Sequence, residues 1–258
     1  MDFSAPIYFV GDPHGFTHQI AREIAACKPL PAAVVFLGDF DLERTFHREV
    51  KPLTDAGVEA WWIYGNHDTD HELYYFRLFD NNRLKEFNLH GRVTTIAGLR
   101  IAGLGGIFRS RVWSPDPEAR KSRQTCRWQS RRAWLKDNPT SQRWRGGLPI
   151  DFRDAIWPED FEQLETQHAD VLVCHEAPSC HEYGHSVIDA LAQAMGVSVI
   201  VHGHHHIDYD STICDGGIRV LGVGLAGVRQ LDGTLVRRGA RSVIDCMPWK
   251  PVVIRDRK

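Results

Sequence analysis

Five short apolar runs punctuate the chain, and each closes on a glycine or histidine followed by chemistry-bearing side chains. Residues 7–10 lead into Gly11-Asp12, 33–37 into Gly38-Asp39, 60–64 into Gly65-Asn66, 171–174 into His175, and 197–201 into His202-Gly203-His204. Runs of four or five residues rich in Val and Ile, with no polar alternation, predict strands covered on both faces. In the first half their spacing leaves room for a helix between each pair, the βαβ pattern. Residues 16–27, with alanines and Ile20/Ile24 at helical spacing, predict one such helix, and 46–56 a shorter one. From residue 92 the pattern changes. Residues 93–96 and 99–102 flank Ala97-Gly98 as a hairpin, and 218–223 and 233–235 are further strand candidates. Mixed strands late in the chain predict a second sheet packed on the first. Residues 117–136 form a helix candidate, with Asp116 as cap, Pro117 in first position, and Asn138-Pro139 as the stop. It lies inside a segment rich in Arg, Trp and Pro, residues 107–158, read as an insertion or lid within a single α/β domain spanning 1–258.

Length and composition add limits. The 258 residues suit one α/β domain with a sizeable insertion and an ample core. No apolar run approaches the length of a membrane helix. The first residues lack the basic-then-apolar pattern of a signal peptide. The expectation is therefore no membrane partner and a cytoplasmic location. Cys27, Cys126, Cys174, Cys180, Cys214 and Cys246 form no CxxC pair and are expected to be reduced thiols. The formal net charge of −2 hides a division: residues 109–145 hold eleven Lys/Arg against three Asp/Glu, a local net of +8.

The chemistry lies at the strand ends, where open α/β sheets place ligands. In chain order these residues are Asp12-x-His14, Asp39, Asn66-His67-Asp68, His175 and His204-x-His206. Side chains two apart at a strand end point the same way. Asp12 and His14 can therefore reach one metal, His204 and His206 can both enter the site, and His205 should turn away. Carboxylates, imidazoles and an amide, with no thiolate, favour a catalytic transition-metal site over a structural zinc site. Paired ions need a carboxylate bridge, and Asp39, between the two clusters, is the natural one.

On these residues the chain resembles the calcineurin-like metallophosphoesterases. Their D-x-H, G-D, G-N-H-[DE], lone His and G-H-x-H motifs correspond here to Gly11-Asp12-Pro13-His14, Gly38-Asp39, Gly65-Asn66-His67-Asp68, His175 and Gly203-His204-His205-His206. Each alone is weak, but five in order, each after a predicted strand, form a strong signal. The resemblance implies two mixed sheets packed face to face and flanked by helices. It implies two divalent ions, manganese first among them, with iron, zinc, nickel or cobalt as alternatives. Asp12, His14 and His206 would bind the first, Asn66, His175 and His204 the second, and Asp39 would bridge. A bridging hydroxide would attack phosphorus in line, with His67 as the catalytic residue at the leaving-group oxygen.

Two departures from the serine/threonine phosphatase branch argue against a protein phosphatase. Leu42 stands where that branch has an acid to orient the catalytic His, leaving Asp41 or Asp68 as nearby alternatives, and Tyr64 precedes Gly65 in place of arginine. The expected substrate is a small anionic phosphoester, first a nucleotide-like phosphodiester or phosphoanhydride, then a phosphomonoester. Nucleic acid is a further partner to test, and a non-catalytic scaffold is the competing class. His181 and His185 could line the site. His18, His47, His71, His90, His168 and His202 are read as structural or surface residues, Glu176 and Asp208 as supporting or surface residues, Trp61-Trp62 as packing, and residues 103–106 as a turn. The basic, Trp-bearing segment could contact substrate or simply staple the insertion to the core.

Overall fold

The computed structural model describes residues 5–115, 126–213 and 217–242. Two sheets form its centre. The first has the order β11-β10-β1-β2-β3, with β1 (Ile7–Val10), β2 (Ala33–Phe36) and β3 (Glu59–Trp62) parallel, then β10 (Val228–Gln230) and β11 (Leu235–Arg237) antiparallel beside them. The second runs β4-β5-β6-β7-β9-β8. Its strands β5 (Leu99–Leu104), β6 (Val171–Cys174), β7 (Val199–His202) and β9 (Ile218–Gly222) are parallel, with β4 (Val93–Ile96) and β8 (Tyr209–Ile213) antiparallel at the edges.

Alternation along each strand divides the apolar residues into layers. Ile7 and Phe9 of β1, Ala33 and Val35 of β2, and Val171 and Val173 of β6 meet between the sheets. Tyr8, Val10, Val34 and Phe36 face the opposite way, toward α1 (Thr17–Ala25), α2 (Phe46–Glu49) and α3 (Lys51–Asp55). Leu172 and Cys174 face the outer layer that holds α6 (Pro158–Glu165) and α7 (Ser186–Met195). Burial on both faces is why these strands read as unbroken apolar runs. The single helix expected over 46–56 is two short ones meeting at Val50, because Pro52 cannot donate its missing amide to a continuing helix.

The basic segment corrects two expectations. After the short α4 (Glu72–Tyr75), the helix there is α5 (Arg131–Asp137), capped by Ser130 Oγ, which accepts from the Ala133 amide. Residues 126–130 are not helical, and the Asp116 cap falls outside the described residues. Trp113, Trp134, Phe152 and Trp157 are buried in the outer layer of the second sheet, and Ile107 pairs with Ala155 where the segment leaves and rejoins the core. Four of its described arginines are paired with acids. Arg109 pairs with buried Asp154 at 2.6 Å, Arg111 with Asp151, Arg145 with Asp80, and Arg131 with Glu159 and Asp160.

Gly103 lies within β5, so the turn is confined to Gly105-Gly106. The short β8 and β10 lack an apolar signature: β8 is a mostly polar edge strand, and β10 is centred on buried Arg229, whose guanidinium donates to the carbonyls of Tyr209, Gly222 and Gly233. Asp208 accepts from the amides of Gly224 and Gly239. Cys27, Cys126, Cys174 and Cys180 are free thiols, and Cys214 and Cys246 lie outside the described residues. Among the described residues no helix is long and apolar enough to cross a membrane.

Candidate metal centre

The loops after β1, β2, β3, β6 and β7 converge where the two sheets meet at their C-terminal ends. Strand alternation is not what aims their side chains. Asp12, His14, Asp39, Asp41, His204 and His206 all have positive φ, between 36° and 68°. They are six of nine non-glycine residues in that conformation among the described residues. Asp and His tolerate left-handed backbone better than most residues, so here the residue types that serve the chemistry also suit the turns. Gly38, at φ 99°, and Gly65 let the β2 and β3 loops touch: a Cβ on Gly65 would fall 2.6 Å from His175 Nε2, and closer still to Asp39 Oδ1.

Asp68 fixes these loops to each other. Its buried carboxylate accepts from the amides of Asp39 (3.0 Å), Phe40 (2.9 Å) and Gly65 (2.8 Å). Asp12 accepts from the His204 amide through both oxygens, at 2.9 and 3.0 Å. The ends of β1 and β7 are thereby tied across the sheets.

Two donor groups result. Asp12, His14, Asp39 and His206 present ligand atoms within 4.8 Å of one another, as do Asp39, His175 and His204. Asp39 belongs to both: its Oδ2 lies 3.3 Å from His175 Nε2 and 3.9 Å from His14 Nε2, while its Oδ1 accepts from the His67 amide. Asn66 Oδ1 joins the second group, 3.2 Å from His175 Nε2. All seven sequence-selected donors are thus gathered at one place, with His175 fully buried and His206 at the solvent side. His67 stands beside them, its ring 5.3 Å from that of His14.

The donor chemistry fits divalent cations. His175 Nδ1–H donates to the Leu37 carbonyl at 2.7 Å, which leaves the Nε2 lone pair facing Asp39 and Asn66. His14 Nδ1 engages the Asp41 carboxylate at 2.8 Å, so its Nε2 lone pair faces His206 Nε2 at 3.2 Å. An acceptor on one ring nitrogen fixing the other as a ligand is a recurring feature of metal-binding histidines. The electrostatics call for positive charge. Burial and neighbouring Asp39 push Asp12 up to about 7. Burial opposes the charged His175 ring, yet Asp39 and Asp12 outweigh it and raise His175 to about 10. Burial, with His175 adjacent, depresses His204 to about 3 and keeps that ring neutral.

Other side chains surround the centre. Neither Asp41 nor Asp68 orients His67; the acid that meets it is Asp70, with Oδ2 2.6 Å from His67 Nδ1. The spacing signal was present, because the 3₁₀ turn at His67–Thr69 brings residues three apart together. Of the two readings of Glu176, supporting or surface, the structure agrees with the supporting one. Glu176 is buried, it accepts from the Phe108 amide, and burial lifts it to about 7. Its Oε2 lies 3.9 Å from His204 Nε2, and with His204 and His205 it forms a third group of ligand-type atoms. His205 is absent from the two main groups and stacks on His181, with ring centroids 3.9 Å apart. His185 sits 3.7 Å from Glu176, and His202 is buried against the Tyr209 hydroxyl.

The fold and the clustered donors are those of a metallophosphoesterase. The chain belongs to the calcineurin-like phosphoesterase family, whose model matches residues 5–208. An uncharacterized protein of Haemophilus influenzae is 40% identical over 205 residues, covering 79% of this chain and 84% of that one. Among solved structures, the TT1561 protein of Thermus thermophilus superposes with a TM-score of 0.54 at 14% identity, covering 92% of this chain and 99% of that one. A phosphopantetheinyl hydrolase of Mycobacterium tuberculosis has a TM-score of 0.50 at 18% identity, with 86% and 91% covered. At these identities the two structures speak for the fold. The family carries metal-dependent hydrolysis of phosphoesters.

Proposed function

We propose that the chain hydrolyses a nucleotide-like phosphodiester or phosphoanhydride at a dinuclear centre held by Asp12, His14, Asp39, Asn66, His175, His204 and His206. The observation that carries this reading is the meeting of two donor groups at one carboxylate, Asp39. Two divalent ions held there would supply an ionised water nucleophile and offset the charge of the phosphoryl oxygens. Asp12, His14 and His206 serve the first position, Asn66, His175 and His204 the second, and Asp39 both.

The remaining work falls to His67 and its neighbours. With Nδ1–H donated to Asp70, the imidazolium form of His67 carries its transferable proton on Nε2. From there it donates a proton to the departing ester oxygen. Asp70 is a positioning residue for that ring. Asp68 holds the turn that carries both, through its three backbone amides. The 107–158 segment is an insertion packed on the second sheet. Arg109, Arg111, Arg131 and Arg145 are paired with acids, so these four do not carry the substrate class.

The test is a substrate panel on metal-loaded protein: a chromogenic diester, a monoester, cyclic nucleotides, dinucleoside polyphosphates and a phosphopantetheinyl ester, the last because a fold neighbour is described as a phosphopantetheinyl hydrolase. Metal-dependent turnover of diesters or anhydrides, abolished by Asp39→Asn, is expected. Turnover of monoesters alone would overturn the substrate class. No turnover with both ions bound would leave the scaffold reading.

A further inference from the structure

From the second donor group a series of rings leads away from the metal centre. It starts at His175, whose ring centroid is 4.9 Å from that of His204, and continues to His205 at 4.7 Å. His205 stacks on His181 at 3.9 Å and 14° between planes, a near-parallel pair. Tyr183 stands beside both, 6.1 Å from His205 and 6.0 Å from His181, its ring tilted 35° and 48° to theirs. Tyr183 therefore lies two ring-to-ring steps, through His205, from His204, a donor of the second position. It is also the most exposed large apolar side chain among those described, at 67%.

The exposure does not come from a loose loop. The segment carrying Tyr183 closes on itself: the His181 amide donates to the Pro178 carbonyl, Gly184 to His181, and His185 to Ala177. The Tyr183 amide donates to His181 Nδ1, fixing ring against backbone. Ser179 anchors the loop to Asp189 on α7 through its amide and hydroxyl. A large ring held in the open by a hydrogen-bonded loop, beside a stacked imidazole pair, offers an exposed aromatic face. Planar heteroaromatic rings bind such surfaces by stacking, which tolerates any base because every base has a π face.

We propose that Tyr183, supported by His181 and His205, is a stacking platform for the nucleobase of the substrate, so that the enzyme selects base-bearing phosphoesters. The inference rests on the nucleotide-like phosphoester reading above and names the residues that would hold the base.

The experiment uses the full, metal-loaded chain and a matched pair of diesters, the methyl ester of adenosine 5′-phosphate and the methyl ester of ribose 5-phosphate. Tyr183→Ala is expected to raise KM for the adenosine ester by about 5- to 150-fold, the range that base–aromatic stacking supports. It should leave kcat for that ester, and both constants for the ribose ester, unchanged. Tyr183→Phe keeps the ring and should behave as wild type. Equal losses on both esters, or no loss on either, would overturn the platform while leaving phosphoester hydrolysis intact. Binding of adenosine 5′-phosphate by calorimetry gives a readout independent of turnover. If the metal-loaded protein hydrolyses neither ester, Tyr183-dependent binding of that nucleotide still supports the platform, and binding unaffected by Tyr183→Ala overturns it.

Discussion

Gly65→Ala adds one methyl group and removes no ligand, yet it should damage the metal centre. The new Cβ would lie 2.6 Å from His175 Nε2 and nearer to Asp39 Oδ1, whereas carbon atoms in comfortable contact sit about 3.5–4.0 Å apart. One partner must move by about 1 Å. Neither moves easily. His175 is fully buried, with Nδ1 bonded to Leu37 at 2.7 Å and its face against His204. Asp39 is held through Oδ1 by the His67 amide. Gly65 does not have positive φ, so backbone strain does not confuse the result. The overpacking should cost about 1–3 kcal/mol of stability. Displacing a ligand that its supporting bonds normally orient should weaken metal binding by about 10–100-fold. Gly57→Ala is the control: φ is 79° but nothing lies within 4 Å of the added Cβ, so it should lower stability with no effect on metal affinity. Calorimetric titration of the apo protein with Mn²⁺, with metal content after dialysis, reads the difference. Wild-type affinity for two ions in Gly65→Ala would refute the placement of Asp39 and His175 at the centre.

Elemental analysis of wild type after mild loading should give two divalent ions per chain, and Asp39→Asn should weaken retention of both; a fully active protein with one ion would remove the bridging role. His67→Ala should slow alkyl and ribose esters by about 10²–10⁴-fold, spare nitrophenyl esters and leave metal content unchanged, with Asp70→Asn giving a smaller loss of the same leaving-group dependence; equal slowing of both ester classes would sink the proton-donor role. Arg131→Ala should cost about 3 kcal/mol, the low end for breaking a buried pair because a third of the Arg131 side chain is open, measured by urea unfolding. Asp160 also sets an acid limb. Burial opposes its charge, but His90 and Arg131 outweigh it and hold the carboxyl below the usual range. Its stabilisation is present above the unfolded value of about 3.9 and is lost as pH falls through the lower folded value. Thermal midpoints of Asp160→Asn should therefore fall less steeply below about pH 4 than those of wild type, and parallel curves would contradict this.

The sequence shows the strands buried on both faces because each leaves an unbroken apolar run, and it shows the donors because they follow those runs. It hides β8 and β10, whose pairing rests on polar residues and on the carbonyl-binding Arg229. It hides the two-part break at Val50 and the true start of α5. It also hides how the donors are aimed, since six left-handed residues, not strand alternation, turn them inward. Asp70 and Glu176 were readable as acids, but a short 3₁₀ turn and a buried loop end decided their roles. The arginines of the basic segment looked available because their partners, Asp80, Asp154 and Asp160, are distant in sequence.

The six left-handed residues also place this protein on a particular evolutionary slope. At about 1 kcal/mol each, the low end for non-glycine residues in that conformation, they hold back roughly the stability of a small domain. Glycine would relieve the strain at any of them. Selection for heat resistance alone would therefore drift toward Asp41→Gly, His204→Gly or His206→Gly, robust proteins with a dismantled centre. Thermostable lineages that retain hydrolysis must find their gains elsewhere, in the outer helical layers, where nothing is asked of the backbone except that it fold.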